Sequence, residues 1–305
     1  MHLLLHTTEQ PEQWVAALQK ELPQARIHRA SDAPQCDYAL VWQPPAGLFG
    51  GQPALKAVFS LGAGVDSLLT SDELPEAVPV VRVEDSGMAS QMAEYALYAV
   101  LDAFREFRCY ARQQRSHQWS ARPPRERADF AVGVLGLGVL GSYTAQAIGA
   151  LGFPVYGWSR TPRRVTGVTC LHGSSGLAEV LASARVLVVL LPLTVQTRGL
   201  LDARRLARLP HGAVLVNLAR GALVAEADLL RALNEGRLAH AFLDVFSTEP
   251  LPPGHPFWDH PGITVTPHVA AQTTVAPAAR QIAEKIAKLE RGEPVTGVVD
   301  RRRGY

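Results

Sequence analysis

Residues 130–151 read FAVGVLGLGVLGSYTAQAIGAL. The first six form a near-continuous apolar run, the pattern of a strand buried on both faces. They lead directly into Gly136-Leu137-Gly138-Val139-Leu140-Gly141, and residues 142–151 continue without proline as a helix. A lone GxGxxG means little, but strand, GxGxxG and helix in that order is what a bound dinucleotide requires. Gly136 permits a tight turn, Gly138 lets a pyrophosphate approach the backbone, and Gly141 lets the helix pack on the strand. The phosphates would rest at the helix N-terminus, at Val139 and Leu140, where free N–H groups and the dipole favour negative charge.

Similar apolar runs recur on either side of this motif. Before it come residues 3–6, 38–42, 57–61 and 80–83; after it come 155–158, 186–191, 213–218, 240–245 and 263–265. Helical stretches separate them, among them residues 11–22. Apolar strands alternating with helices predict parallel sheets covered on both faces, and two such series predict two domains of α/β class. Between the series, residues 87–114 predict one long helix with Ser86 available as its cap. The charged, proline-rich SARPPRERAD at 120–129 reads as a linker. A second helix is expected at 278–291, and GEPVTGVVDRRRGY at 292–305 reads as a tail returning to the first domain. The expected architecture is a Rossmann-type doubly wound parallel sheet, residues 101–270, inserted into a flavodoxin-like substrate domain, residues 1–100 and 271–305.

The end of the second strand after the glycine loop selects the cofactor. A site for NAD places Asp or Glu there to hold the ribose hydroxyls. This chain reads Trp158-Ser159-Arg160-Thr161-Pro162-Arg163-Arg164, with no carboxylate. The Ser159 hydroxyl and the guanidinium forks of Arg160 and Arg163 suit a 2′-phosphate instead. NADP is the expected cofactor, with NADPH preferred over NADH. The plainer reading is a solvated arginine loop, since lysine occurs only at Lys20, Lys56, Lys285 and Lys288 in an arginine-rich chain.

Three later segments present reactive groups at strand ends. NLARG offers Arg220, FSTEP offers Glu249 and TPHVA offers His268, spaced by 29 and 19 residues. In a doubly wound sheet the C-terminal strand ends converge on the crevice where the ligand binds. Reducing a keto acid needs a hydride on carbon, a proton on oxygen and a cation for the carboxylate. His268 can supply the proton, Glu249 can orient the imidazole and stabilise its charged form, and Arg220 can bind the carboxylate and polarise the carbonyl. Singly, each has a plain structural explanation. Together, behind a dinucleotide motif, they point to catalysis.

NLARGALV (217–224), LDVFSTEPLPPGHPFW (243–258) and TPHVAAQT (266–273) resemble the signature segments of the D-2-hydroxyacid dehydrogenases. The resemblance extends over essentially the whole chain. VWQPP (41–45), SLGAGVDSLL (60–69), DSGMASQMAEY (85–95) and the C-terminal segment bring it nearest to the family's glyoxylate/hydroxypyruvate reductases. It implies that Arg220, Glu249 and His268 are catalytic. It also implies that the Ala63-Gly64 backbone cradles the substrate carboxylate, that Trp42 walls the substrate pocket and that Asp244 contacts the nicotinamide carboxamide. Leu191 and Pro192 would border the adenosine, and Leu218 and Ala219 would line the cofactor site. A homodimer is implied as well. The glycines flanking Ala63 agree with a backbone anion cradle. Met88 and Met92 read as core residues.

The balance of 305 residues is globular: 47% hydrophobic, 19% charged, with a net charge of +2. That charge is too small to suggest nucleic acid or an anionic membrane as partner. No apolar run approaches the ~20 residues of a membrane span, and MHLLLHTTEQ has no basic segment followed by an apolar stretch and a small-residue cleavage site, so no leader is expected there. Three separated cysteines show no disulfide framework and no metal site, so a cytoplasmic protein is expected. The alternatives are a dinucleotide-sensing binding protein on the same scaffold, or a 2-hydroxyacid dehydrogenase for another keto acid.

Overall fold

The computed structural model describes residues 1–29, 34–69, 71 and 73–305. In chain order its first elements are β1 (His2–His6), α1 (Pro11–Glu21), β2 (Arg26–Arg29), β3 (Tyr38–Val41), β4 (Ala57–Ser60), α2 (Asp66–Leu69) and β5 (Val80–Arg82). Next come α3 (Met88–Arg105), α4 (Phe107–Arg115), β6 (Val132–Leu135), α5 (Val139–Ala150), β7 (Val155–Ser159), β8 (Thr169–His172), α6 (Gly173–Ser183) and β9 (Val186–Val189). The chain continues through α7 (Ala203–Leu206), β10 (Ala213–Asn217), α8 (Glu226–Asn234), β11 (Leu238–Leu243), β12 (Ile263–Val265) and α9 (Val275–Glu290). Packing divides it into two units: Met1–Met88 with Gln272–Tyr305, and Ala89–Ala271.

In the first unit the described strands form one parallel sheet in the order β2-β1-β3-β4-β5, the flavodoxin-like sequence 2-1-3-4-5. α1 packs against α9. The C-terminal segment returns as expected: Arg82 donates to the Gly297 carbonyl and Val299 to that of Val80, with an antiparallel bridge between Val81 and Val298. It covers the otherwise open edge of β5.

The second unit has the order β12-β11-β10-β9-β6-β7-β8. Counted from its own first strand, that is the doubly wound order of a Rossmann sheet, running outward in both directions from β6 and β9. Its inner strands β6, β9, β10 and β11 are almost wholly buried on both faces because successive residues feed different cores. Leu187, Val189, Leu215 and Leu243 pack with Val180 and Leu181 of α6 and Leu229 of α8. Val186, Val188, Val214, Val216 and Phe242 pack with Ala96, Ala99 and Val100 of α3 and Ile148 of α5. Met88 and Met92 are buried, as the sequence reading expects.

Four features differ from that reading. β2 and β8 are additional strands. The expected long helix is two, interrupted at Glu106, whose φ of 56° lies in the left-handed region. Ser86 does not cap α3: its φ is 45° and its buried hydroxyl makes no hydrogen bond. The units divide at 88/89 and 271/272 rather than at 100/101 and 270/271, because the alanine-rich face of α3 is buried in the second unit's core.

Candidate active site

The glycine loop sits between β6 and α5, and its three glycines meet different constraints. Gly136 has φ 105°, and a Cβ there would lie 2.5 Å from the Leu190 carbonyl oxygen. A Cβ on Gly141 would lie 1.8 Å from the Gly136 oxygen, so that glycine is required for the helix to reach the strand. A Cβ on Gly138 would meet nothing within 4 Å. The first and third glycines serve the protein's own packing, whereas the second faces open space, which fits an approaching pyrophosphate. Gly138 is also the residue before α5 and makes no side-chain cap, leaving the Val139 and Leu140 region of the helix start for an anion. Leu191 and Leu218 are buried in the two cores, while Pro192 and Ala219 are half-buried beyond the same strand ends.

At the end of β7, Ser159 donates its hydroxyl hydrogen to the Thr161 carbonyl at 2.8 Å. It therefore shapes the turn that carries the arginines. Arg160, Arg163 and Arg164 are exposed, and no acidic residue lies in the run 158–164.

Register brings the three reactive segments together. Asn217, Leu243 and Val265 lie side by side, so β10, β11 and β12 end at one edge. His268 Nδ1 and Glu249 Oε2 are 2.7 Å apart. The carboxylate accepts, so Nδ1 carries the hydrogen and Nε2 is left for a substrate. Glu249 Oε1 accepts the Phe246 amide at 2.9 Å. Burial pushes the Glu249 carboxyl up. Its hydrogen bonds from His268 and Phe246, with the nearby charges of His268 and Arg220, outweigh that effect and hold it below the ordinary carboxylate value. Arg220 is thus close enough to act electrostatically on Glu249. Its guanidinium also donates to the Ala219 carbonyl at 2.7 Å.

Asp244 is 1% exposed, and its carboxylate receives three hydrogen bonds from residues 266–270. Oδ1 accepts two of these and Oδ2 one.

Two residues absent from the sequence reading build the Arg220 turn. Asn217 Nδ2 donates to the Arg220 carbonyl at 2.9 Å, and Asn217 Oδ1 accepts the Ala219 amide at 3.3 Å. Gly221 is packed against Phe246, whose carbonyl carbon would lie 2.0 Å from an added Cβ. A glycine directly after a strand-end arginine was the available signal for it.

In the first unit, Trp42 follows β3 and residues 62–64 follow β4. A Cβ on Gly62 would lie 2.5 Å from Trp42 Cζ3, so the indole rests directly on that glycine. The Ser60 hydroxyl donates to the Gly64 carbonyl at 2.8 Å and shapes the Ala63-Gly64 turn. Trp42 and the expected cradle are therefore neighbours.

Residues 97–270 match the family model described as the NAD-binding domain of D-isomer specific 2-hydroxyacid dehydrogenase. The chain belongs to this family. A D-isomer specific 2-hydroxyacid dehydrogenase from Xanthobacter autotrophicus Py2, solved with NADPH and MES, is 45% identical, with a TM-score of 0.95 over 100% of this chain and 99% of that one. An NADPH-dependent glyoxylate/hydroxypyruvate reductase from Sinorhizobium meliloti, solved with NADP and sulfate, is 39% identical, with a TM-score of 0.94 over 100% and 99%. A probable 2-hydroxyacid dehydrogenase from Rhizobium etli CFN 42, solved with NADP, HEPES and L(+)-tartaric acid, is 35% identical, with a TM-score of 0.90 over 99% of each chain. This dehydrogenase has no helix among its described residues long and apolar enough to cross a membrane.

Proposed function

We propose that this dehydrogenase reduces small 2-keto acids with NADPH, glyoxylate to glycolate and hydroxypyruvate to glycerate. The observation that carries the reading is the His268–Glu249 pair, 2.7 Å apart and within the field of Arg220, at the strand ends of a dinucleotide-type sheet. The glycine loop would hold the pyrophosphate, and Arg160 and Arg163 the 2′-phosphate. Bound NADPH supplies the hydride. Arg220 pairs with the substrate carboxylate and polarises the carbonyl. His268 gives the Nε2 proton to the carbonyl oxygen, and Glu249, holding Nδ1–H, keeps the ring oriented and stabilises its charged form. The first unit would be the substrate domain, with Ala63-Gly64 as carboxylate cradle and Trp42 as pocket wall.

Initial rates with both cofactors test the proposal. A hydrogen bond to a charged group contributes about 1.5–3 kcal/mol, so one arginine on the 2′-phosphate gives NADPH an advantage of at least about tenfold in kcat/KM. Arg160→Ala should remove most of it through a higher KM for NADPH, with NADH kinetics nearly unchanged. Equal efficiency with both cofactors in the unmodified enzyme would reduce Arg160 and Arg163 to a solvated loop.

Glyoxylate and hydroxypyruvate should be better substrates than phenylpyruvate, and Trp42→Ala should shift the preference toward bulkier acids. Phenylpyruvate as the best substrate of the unmodified enzyme would exclude the small-acid reading.

A homodimer in the cytoplasm completes the proposal. Trp119 is fully exposed on a run of exposed residues, 116–126, which suits a partner subunit, and Cys36, Cys109 and Cys170 are unpaired, which suits a reducing compartment. Sedimentation at the monomer mass would remove the dimer.

A further inference from the structure

His268 has φ 55°, a left-handed conformation that a residue with a Cβ keeps only where its surroundings over-determine it. Those surroundings converge on Asp244, just past β11. Its backbone carbonyl accepts the His268 amide at 2.9 Å. Its Oδ1 accepts the Val269 amide at 2.9 Å and the Thr266 hydroxyl at 2.6 Å, and its Oδ2 accepts the Ala270 amide at 2.8 Å. From 266 to 270, the residue without such a bond is Pro267, which has no N–H to give.

Behind Thr266 stands Tyr95 of α3, with its hydroxyl 2.8 Å from Thr266 Oγ1. A threonine hydroxyl has one hydrogen. Thr266 gives it to Asp244 Oδ1, so Tyr95 must be the donor in the other contact. Burial pushes the Tyr95 phenol up, against the smaller opposite pull of its bond to Thr266, so the phenol keeps the hydrogen it donates. Hydroxyls and carboxylate thus form a chain with one direction, Tyr95 to Thr266 to Asp244, ending on the Val269 and Ala270 amides that directly follow the imidazole-bearing residue.

We infer that the chain Tyr95–Thr266–Asp244 positions His268 for proton transfer, with Thr266 as the link by which α3 bears on the loop. The inference rests on His268 being the proton donor. Thr266 and Tyr95 are positioning residues, acting through the backbone conformation at 268. Thr266→Val keeps the shape and removes both hydrogen bonds, whereas Thr266→Ser keeps the hydroxyl. With NADPH and glyoxylate, Thr266→Val should lower kcat about 10- to 100-fold, the scale of a displaced catalytic group, with both KM values within about twofold. Thr266→Ser should recover most of the loss. Tyr95→Phe should lower kcat in the unmodified background and have little effect in Thr266→Val, where its acceptor is gone.

Deuterium uptake by the peptide covering residues 266–270, measured without substrate, should rise in Thr266→Val and not in Thr266→Ser. An unchanged kcat in Thr266→Val, or a lowered kcat with unchanged uptake, overturns the inference. If Thr266→Val does not fold, Tyr95→Phe carries the same two readouts. Should the unmodified enzyme reduce no keto acid, the assigned reaction fails, while uptake at 266–270 still decides whether the chain holds the loop.

Discussion

His268→Ala is expected to lower kcat for keto-acid reduction by about 10²–10⁴, the contribution of a positioned general acid, while NADPH binds nearly as before. The imidazole meets Glu249 through Nδ1, so the group removed is the one whose other nitrogen faces outward from the pair. The glycine loop lies between β6 and α5, and none of the atoms packed against its glycines belongs to His268. Fluorescence titration with NADPH and single-turnover reduction of glyoxylate separate the two effects. Unchanged turnover would remove His268 from the reaction, and loss of NADPH binding would make it a structural residue.

The pair also sets the acid side of the pH profile. Glu249 is held below the ordinary carboxylate value, so it stays charged, and keeps stabilising the imidazolium, as pH falls past that value. A group with a depressed folded pKa contributes stability above its unfolded pKa and loses it as pH falls through the folded one. The unmodified enzyme should therefore show no acid-side loss of kcat until pH is below the ordinary carboxylate range. An acid limb within or above that range would mean the carboxyl is not held as the geometry indicates.

The proposed catalytic residues were legible because their positions follow from topology. Once residues 130–151 are read as strand, glycine loop and helix, the C-terminal ends of later strands are the places to look, and Arg220, Glu249 and His268 are found there. β2 (RIHR) and β8 (TCLH) escaped because they lie at sheet margins, where one neighbour is missing and partial exposure removes the apolar run that marks an inner strand. The break at Glu106 carries neither glycine nor proline, so no local signal announces it. Gly221 had a local signal in following a strand-end arginine, but Asn217 and Thr266 had none in spacing alone. Their partners are distant in sequence or are backbone atoms, and only the packed loops reveal them.

Gly221→Ala should be a damaging single-methyl change beside Arg220 and Glu249. Its Cβ would lie 2.0 Å from the Phe246 carbonyl carbon, 2.4 Å from Phe246 Cα and 2.4 Å from the Ser247 nitrogen. Those are backbone atoms, so no side chain can swing aside and the two loops must part. Phe246 is also the residue whose amide holds Glu249 Oε1, and Gly221 directly follows Arg220. Moving one loop against the other displaces the carboxylate from the imidazole, or the guanidinium from both. A displacement of about 1 Å can cost about 10²-fold in rate, so kcat/KM for glyoxylate should fall by about that factor or more. Overpacking adds a stability cost of about 1–3 kcal/mol, read as a lower melting temperature. Gly254→Ala is the control: a Cβ there meets nothing within 4 Å, and both activity and melting should be close to those of the unmodified protein. Titration at 25 °C, well below the variant's melting transition, separates the two costs. A Gly221→Ala protein that melts earlier yet turns over at the full rate would show that the loops can part without disturbing the Arg220, Glu249 and His268 geometry, and that the close approach at Gly221 serves the fold alone.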